Sequence, residues 1–131
     1  IKIGKYNSRD LKKELCYMQL SKAEVLASKV SDEIEERLGD KISSSFSIYK
    51  TQDEPWIEFS IEFSAYNFFN IILNYDRGSF GCSIENGGLG IALPNTQKWY
   101  DKADMDIFCK ELQEQLELRI PDKFLVYNGW K

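Results

Sequence analysis

Histidine is absent from this chain, and that absence removes more chemistry than any other feature of its composition. Without an imidazole there is no ordinary neutral-pH general base, no usual activator of a serine or cysteine nucleophile, and none of the commonest zinc ligand. Self-contained Ser-His-Asp, Cys-His and most zinc-hydrolase sites are therefore excluded. Long apolar runs are missing too. Runs such as Phe68-Phe69, Ile71-Ile72-Leu73 and Phe124-Leu125-Val126-Tyr127 are too short for a bilayer span or a signal-peptide core. The start Ile1-Lys2-Ile3 reads as lacking only an initiator methionine, so the expected compartment is the cytoplasm. Cysteine is scarce and odd in number. Cys16, Cys82 and Cys109 are widely spaced in segments patterned as helix, strand and helix, which fits reduced, buried thiols rather than a disulfide framework. No repeat, low-complexity tract or linker interrupts the sequence, and its 131 residues are expected to form a single domain over 1–131.

What the chain has in excess is acid. Twenty-one Asp and Glu against 17 Lys and Arg give a formal charge of -4, which opposes whole-domain attraction to nucleic-acid phosphates or anionic lipid and favours a basic protein as partner.

The N-terminal third has helical spacing. Asn7 or Ser8 can cap a short helix carrying Leu11, Leu15 and Met18, and Ser21-x-x-Glu24 is a capping box for a second. That second helix aligns Ala23, Leu26, Val30, Ile34 and Leu38 and stops at Gly39; Lys22, Lys29, Asp32, Glu33, Glu36 and Arg37 are expected on its wet face. From Ile42 to Glu85 the period becomes two. Phe46 and Ile48 alternate with serines and Tyr49, and a turn follows at Gln52-Asp53-Glu54-Pro55. In the next run, Trp56 to Phe63, strict alternation sends Ile57, Phe59, Ile61 and Phe63 inward and Trp56, Glu58, Ser60 and Glu62 outward. A third strand points Phe69, Ile71, Leu73 and Tyr75 inward, and Asp76-Arg77-Gly78 turns it into a fourth with Phe80, Cys82 and Ile84 inward. A helix starting near Thr96 or Asp104 runs to Ile120 before Pro121, and Phe124-Leu125-Val126-Tyr127 reads as an added edge strand. The expected fold is α+β: a two-layer arrangement with a four- to five-stranded antiparallel meander packed against N- and C-terminal helices.

Three patterns resemble sites without completing one. Gly87-Gly88-Leu89-Gly90 lacks the lysine-serine pair and the spacing of phosphate loops, and reads as a sheet-to-helix connection. Glu58 and Glu62 are about 13 Å apart along a strand, too far to share one metal ion. Asp104 and Asp106 suit the N-terminus of the last helix. For nucleic acid, the cluster Arg9, Lys12, Lys13 and the rings of Tyr66, Phe68 and Trp99 lack the interleaved basic groove that strand binding needs. No cofactor and no metal site are expected. The acidic, aromatic sheet face around Trp56, Glu58 and Glu62, with Tyr49 and the turn acids Asp53 and Glu54, is the candidate binding surface.

An acidic, histidine-free domain with the Ser21-Lys22-Ala23-Glu24 helix, the strands Trp56 to Phe63 and Phe68 to Asp76, and the closing Phe124-Leu125-Val126-Tyr127-Asn128-Gly129-Trp130 resembles the immunity proteins of bacterial contact-dependent growth inhibition systems. The resemblance implies a non-enzymatic inhibitor that forms a one-to-one complex with a basic toxin domain, commonly a tRNA- or DNA-cleaving nuclease, and blocks its active site or substrate surface. Trp56, Glu58, Glu62, Tyr49, Asp53 and Glu54 are the residues expected to meet the toxin. Two other readings stay open: a small Mg²⁺-dependent nuclease or hydrolase built on carboxylates, and an acidic adaptor for another protein.

Overall fold

Four long antiparallel strands follow one another in space as they do in sequence: β2 (Phe46–Gln52), β3 (Glu58–Ala65), β4 (Phe69–Asp76) and β5 (Ser79–Ile84). In this computed structural model, which describes residues 5–6, 20–43, 45–85, 89–93 and 97–131, a two-residue strand finishes each edge. These are β1 (Lys5–Tyr6) against β2 and β6 (Leu89–Gly90) against β5. Helix α1 (Lys22–Leu38) precedes the meander, and α2 (Met105–Glu117) and α3 (Asp122–Tyr127) follow it. The α+β meander with flanking helices is thus the fold that the alternating pattern specifies. The helix expected at Asn7 or Ser8, Cys16 and the Arg9, Lys12 and Lys13 cluster lie outside the described residues, as do Gly87 and Gly88.

Residue parity decides what the sheet buries. Ile48, Ile61, Leu73 and Cys82 lie side by side across the four strands, and Phe59, Tyr75 and Phe80 form a second row. Both rows are buried against the helices. Phe59 stacks on Tyr75 with centroids 4.7 Å apart, and Phe80 stacks at 4.7 Å on Phe108 of α2, fastening helix to sheet. From α1, Ala23, Ala27, Val30, Ile34 and Leu38 complete one contiguous core. Asp32, expected in water, is buried; it lies beside Ser28 and Ser31 on a side of α1 that the apolar spacing alone does not mark as covered. Arg37 ties the two long helices together, its Nε 2.6 Å from Asp106.

The termini of the elements obey local chemistry. Ser21 Oγ accepts the Glu24 N–H while Glu24 returns a carboxylate to the Ser21 N–H, and Gly39 takes the positive φ of 55° that ends α1. Arg77 and Gly78 both have positive φ, the geometry of a two-residue hairpin turn whose twist matches its strands. Asp104 caps α2 by accepting the N–H groups of Asp106 and Ile107.

Residues 124–127 are helical, which corrects the edge-strand expectation. Pro121 sits at the N-cap of α3, where its missing N–H costs nothing, and Asp122 follows in the first turn. The helix then buries Leu125 and folds the tail back so that the Trp130 ring meets Tyr66 edge-on at 5.2 Å. The longer helix α2 stops at Glu117, and Ile120 is buried in the turn that leads on to Pro121.

Candidate protein-binding face

No described element covers the sheet face opposite the helices. On it the register aligns Ser47, Glu62, Ile72 and Ser83 in one row, and Tyr49, Ser60, Asn74 and Gly81 in the next. Glu58 stands beside Asp76 in a third row, and Glu85 follows the end of β5. Apart from Tyr49 and Ile72 the floor is small and polar, and four carboxylates stand on it.

The residues expected to bind do not share one fate. Asp53 is committed to the fold: its carboxylate accepts the backbone N–H of Lys22 at 3.1 Å and of Ala23 at 2.8 Å, capping the first turn of α1. Trp56 precedes β3 rather than opening it, and its indole face is occupied by the Arg77 guanidinium, 3.9 Å from the ring centroid. Its indole N–H donates to Glu58 Oε2 at 3.3 Å, and its carbonyl accepts from Gln52 Nε2 at 3.1 Å. This ring locks two hairpin turns together, because Arg77 is also held by Asp76 at 3.1 Å and its own N–H donates to the Ile57 carbonyl. The C-terminal tail, through Trp130, packs against Tyr66. Ser60 faces outward as parity requires but is buried, its hydroxyl 2.7 Å from Asn74 Oδ1. Glu54 is exposed in the turn.

Tyr49 and Glu62 remain. Both are part-buried on the open face, on neighbouring strands. The Tyr49 phenol is raised above its ordinary pKa, first by burial and then by the charges of Glu62 and Glu85. Lys50, in a left-handed conformation (φ 55°) where the β2–β3 register slips, swings its ammonium to 5.8 Å from the Tyr49 ring. Glu85 belongs to this group although the sequence did not mark it as a site. Its strand parity pointed it outward; it follows β5, with β3 and β4 between it and the Tyr49 strand, and its charge still acts on the phenol. Asn70 Nδ2 donates to its Oε2 at 2.9 Å.

Other chemistry finds little support. Among the described residues no three Cys, Asp or Glu side chains converge as a metal site. Tyr66 is fully buried and donates its hydroxyl to Glu117 at 2.5 Å, so it offers no stacking surface; Phe68 packs edge-on against Phe69 and Phe124. Burial pushes the thiols of Cys82 and Cys109 up, that of Cys109 to about 12, which leaves neither as a thiolate at neutral pH. A cleft of about 540 Å³ between Ile57, Tyr75, Arg77, Trp99, Tyr100 and Asp101 holds one cation and one carboxylate but no nucleophile-base pair. Its Tyr100 hydroxyl is spent on Glu33. No described helix is long and apolar enough to cross a membrane.

No protein-family model matches the chain, and no curated protein or solved structure is similar to it.

Proposed function

We propose that this chain is an immunity-type inhibitor. It binds a basic toxin domain, a nuclease by preference, one to one in the cytoplasm, and blocks its substrate surface without any catalysis of its own. The observation that carries this reading is the sheet face that no described element covers. One side of the sheet is sealed by helices, whereas the other presents Glu58, Glu62, Asp76 and Glu85 around Tyr49 and Ile72. Carboxylates fixed on a rigid sheet can take the places of nucleic-acid phosphates on a basic surface and speed encounter with it. Rigidity matters here because little ordering entropy is then lost on binding.

The test is inhibition. The chain is purified with the product of its adjoining reading frame, and cleavage of tRNA and DNA by that product is measured with and without it. Stoichiometric protection supports the reading. Mg²⁺-dependent turnover by the purified chain alone, abolished by a single carboxylate substitution, contradicts it.

A further inference from the structure

We infer that Tyr49 and Glu62 form a receptor for one arginine side chain of the partner, and that Lys50 is the chain's own occupant of that receptor in the free state. The inference rests on the basic-partner reading above and names what that face grips. Three observations converge on it. The Tyr49 ring lies on the open face of β2 opposite Ser60, a side chain too small to cover it. An ammonium group already sits on that ring: Lys50 Nζ is 5.8 Å from the centroid, a distance at which a cation is drawn to the negative face of an aromatic ring. Glu62 stands on the adjoining strand, diagonal to Tyr49, and the charges of Glu62 and Glu85 both act on its phenol.

Backbone geometry explains the self-occupation. Lys50 is exposed and has a φ of 55°, rare for a residue with a Cβ, at the point where the pairing of β2 with β3 skips between Tyr49 and Gln52. This bulge turns the Lys50 stem back over its neighbour. A planar guanidinium suits the receptor better than an ammonium. It can lie flat on the Tyr49 ring while its N–H groups reach the Glu62 carboxylate on the adjoining strand.

Tri-arginine and tri-lysine peptides are the probes, titrated at matched low ionic strength and followed by amide and aromatic NMR shifts. The expected result is tighter binding of tri-arginine, with shifts centred on Tyr49, Lys50 and Glu62. Lys50→Ala should strengthen tri-arginine binding about threefold by freeing the ring. That gain should persist with Tyr49→Phe, which keeps the ring, and vanish with Tyr49→Leu. Glu62→Gln, at a part-buried surface position, should weaken binding without disturbing the spectrum elsewhere. Equal affinity for the two peptides, or an equal Lys50→Ala gain in the Tyr49→Leu background, would show bare charge attraction and overturn the receptor. The two readings fail separately. A chain that binds tri-arginine at Tyr49 but protects against no toxin retains the receptor and loses the inhibitor role; one that protects equally well as the Tyr49→Leu variant retains the role and loses the receptor.

Discussion

Asp53 and Ala23 are 30 residues apart in sequence and joined by a 2.8 Å hydrogen bond, from the Ala23 N–H to the Asp53 carboxylate. With the companion bond from Lys22, and the Glu24 N–H donated to the Ser21 hydroxyl, the first three N–H groups of α1 are all satisfied, two of them by an anion where the helix dipole favours one. The turn between β2 and β3 is thereby bolted to the start of α1. Asp53→Ala should cost about 1–2 kcal/mol of stability in urea denaturation, and Asp53→Asn less, since the amide oxygen still accepts. Partner binding should be unaffected beyond that loss. Unchanged stability of Asp53→Ala would remove the carboxylate from this structural role.

Trp56 and Arg77 should behave as one unit. Each stacks on the other at 3.9 Å, and they come from different hairpin turns. In a double-mutant cycle, Trp56→Ala and Arg77→Ala should each destabilise the fold, with a coupling of about 0.5–1 kcal/mol. Strict additivity would show that the stacking contributes nothing.

Stability should fall at high pH, and Tyr66 should be a main cause. Burial, then the hydrogen bond to Glu117, raise its phenol well above the ordinary value near 10. The folded protein keeps this proton while the unfolded chain loses it. The stabilisation is therefore complete below about pH 10 and is lost as pH climbs from there toward the folded value. Tyr100, half-buried and bonded to Glu33, acts in the same sense. Tyr66→Phe should be less stable at neutral pH yet show a shallower alkaline decline in thermal unfolding between pH 9 and 11, roughly the window around the free phenol value. A decline as steep as that of the unmodified chain would place its origin elsewhere.

Period-two alternation made the sheet legible because parity is a local property: once Phe59 is inside, Ile61 and Phe63 must be too, and Glu58 and Glu62 must face away. The capping box at Ser21 and the turn at Arg77-Gly78 were legible for the same reason. The segment 124–127 was not. Four consecutive apolar or aromatic residues carry no period, and the outcome was settled by Pro121 at the helix start and by Trp130 returning to Tyr66. The candidate site was half legible. Sequence parity could put Trp56, Glu58 and Glu62 on one side, but not foresee that Arg77 would cover Trp56 or that a helix N-terminus would claim Asp53. Those contacts are made across the fold and leave no local spacing behind.

The most direct test of the central claim, that the open sheet face meets a basic partner, is the association rate of the chain with the basic toxin domain proposed as its partner. The measurement uses surface plasmon resonance at low and high salt, with circular dichroism as a control for folding. Glu62→Lys combined with Glu85→Lys should leave the fold intact, since neither side chain is in the core. At low salt the variant should associate more slowly, by about tenfold or more, and the gap should close as salt screens the charges. A folded double variant with unchanged association at both salt concentrations would contradict the claim and take this face out of the interface.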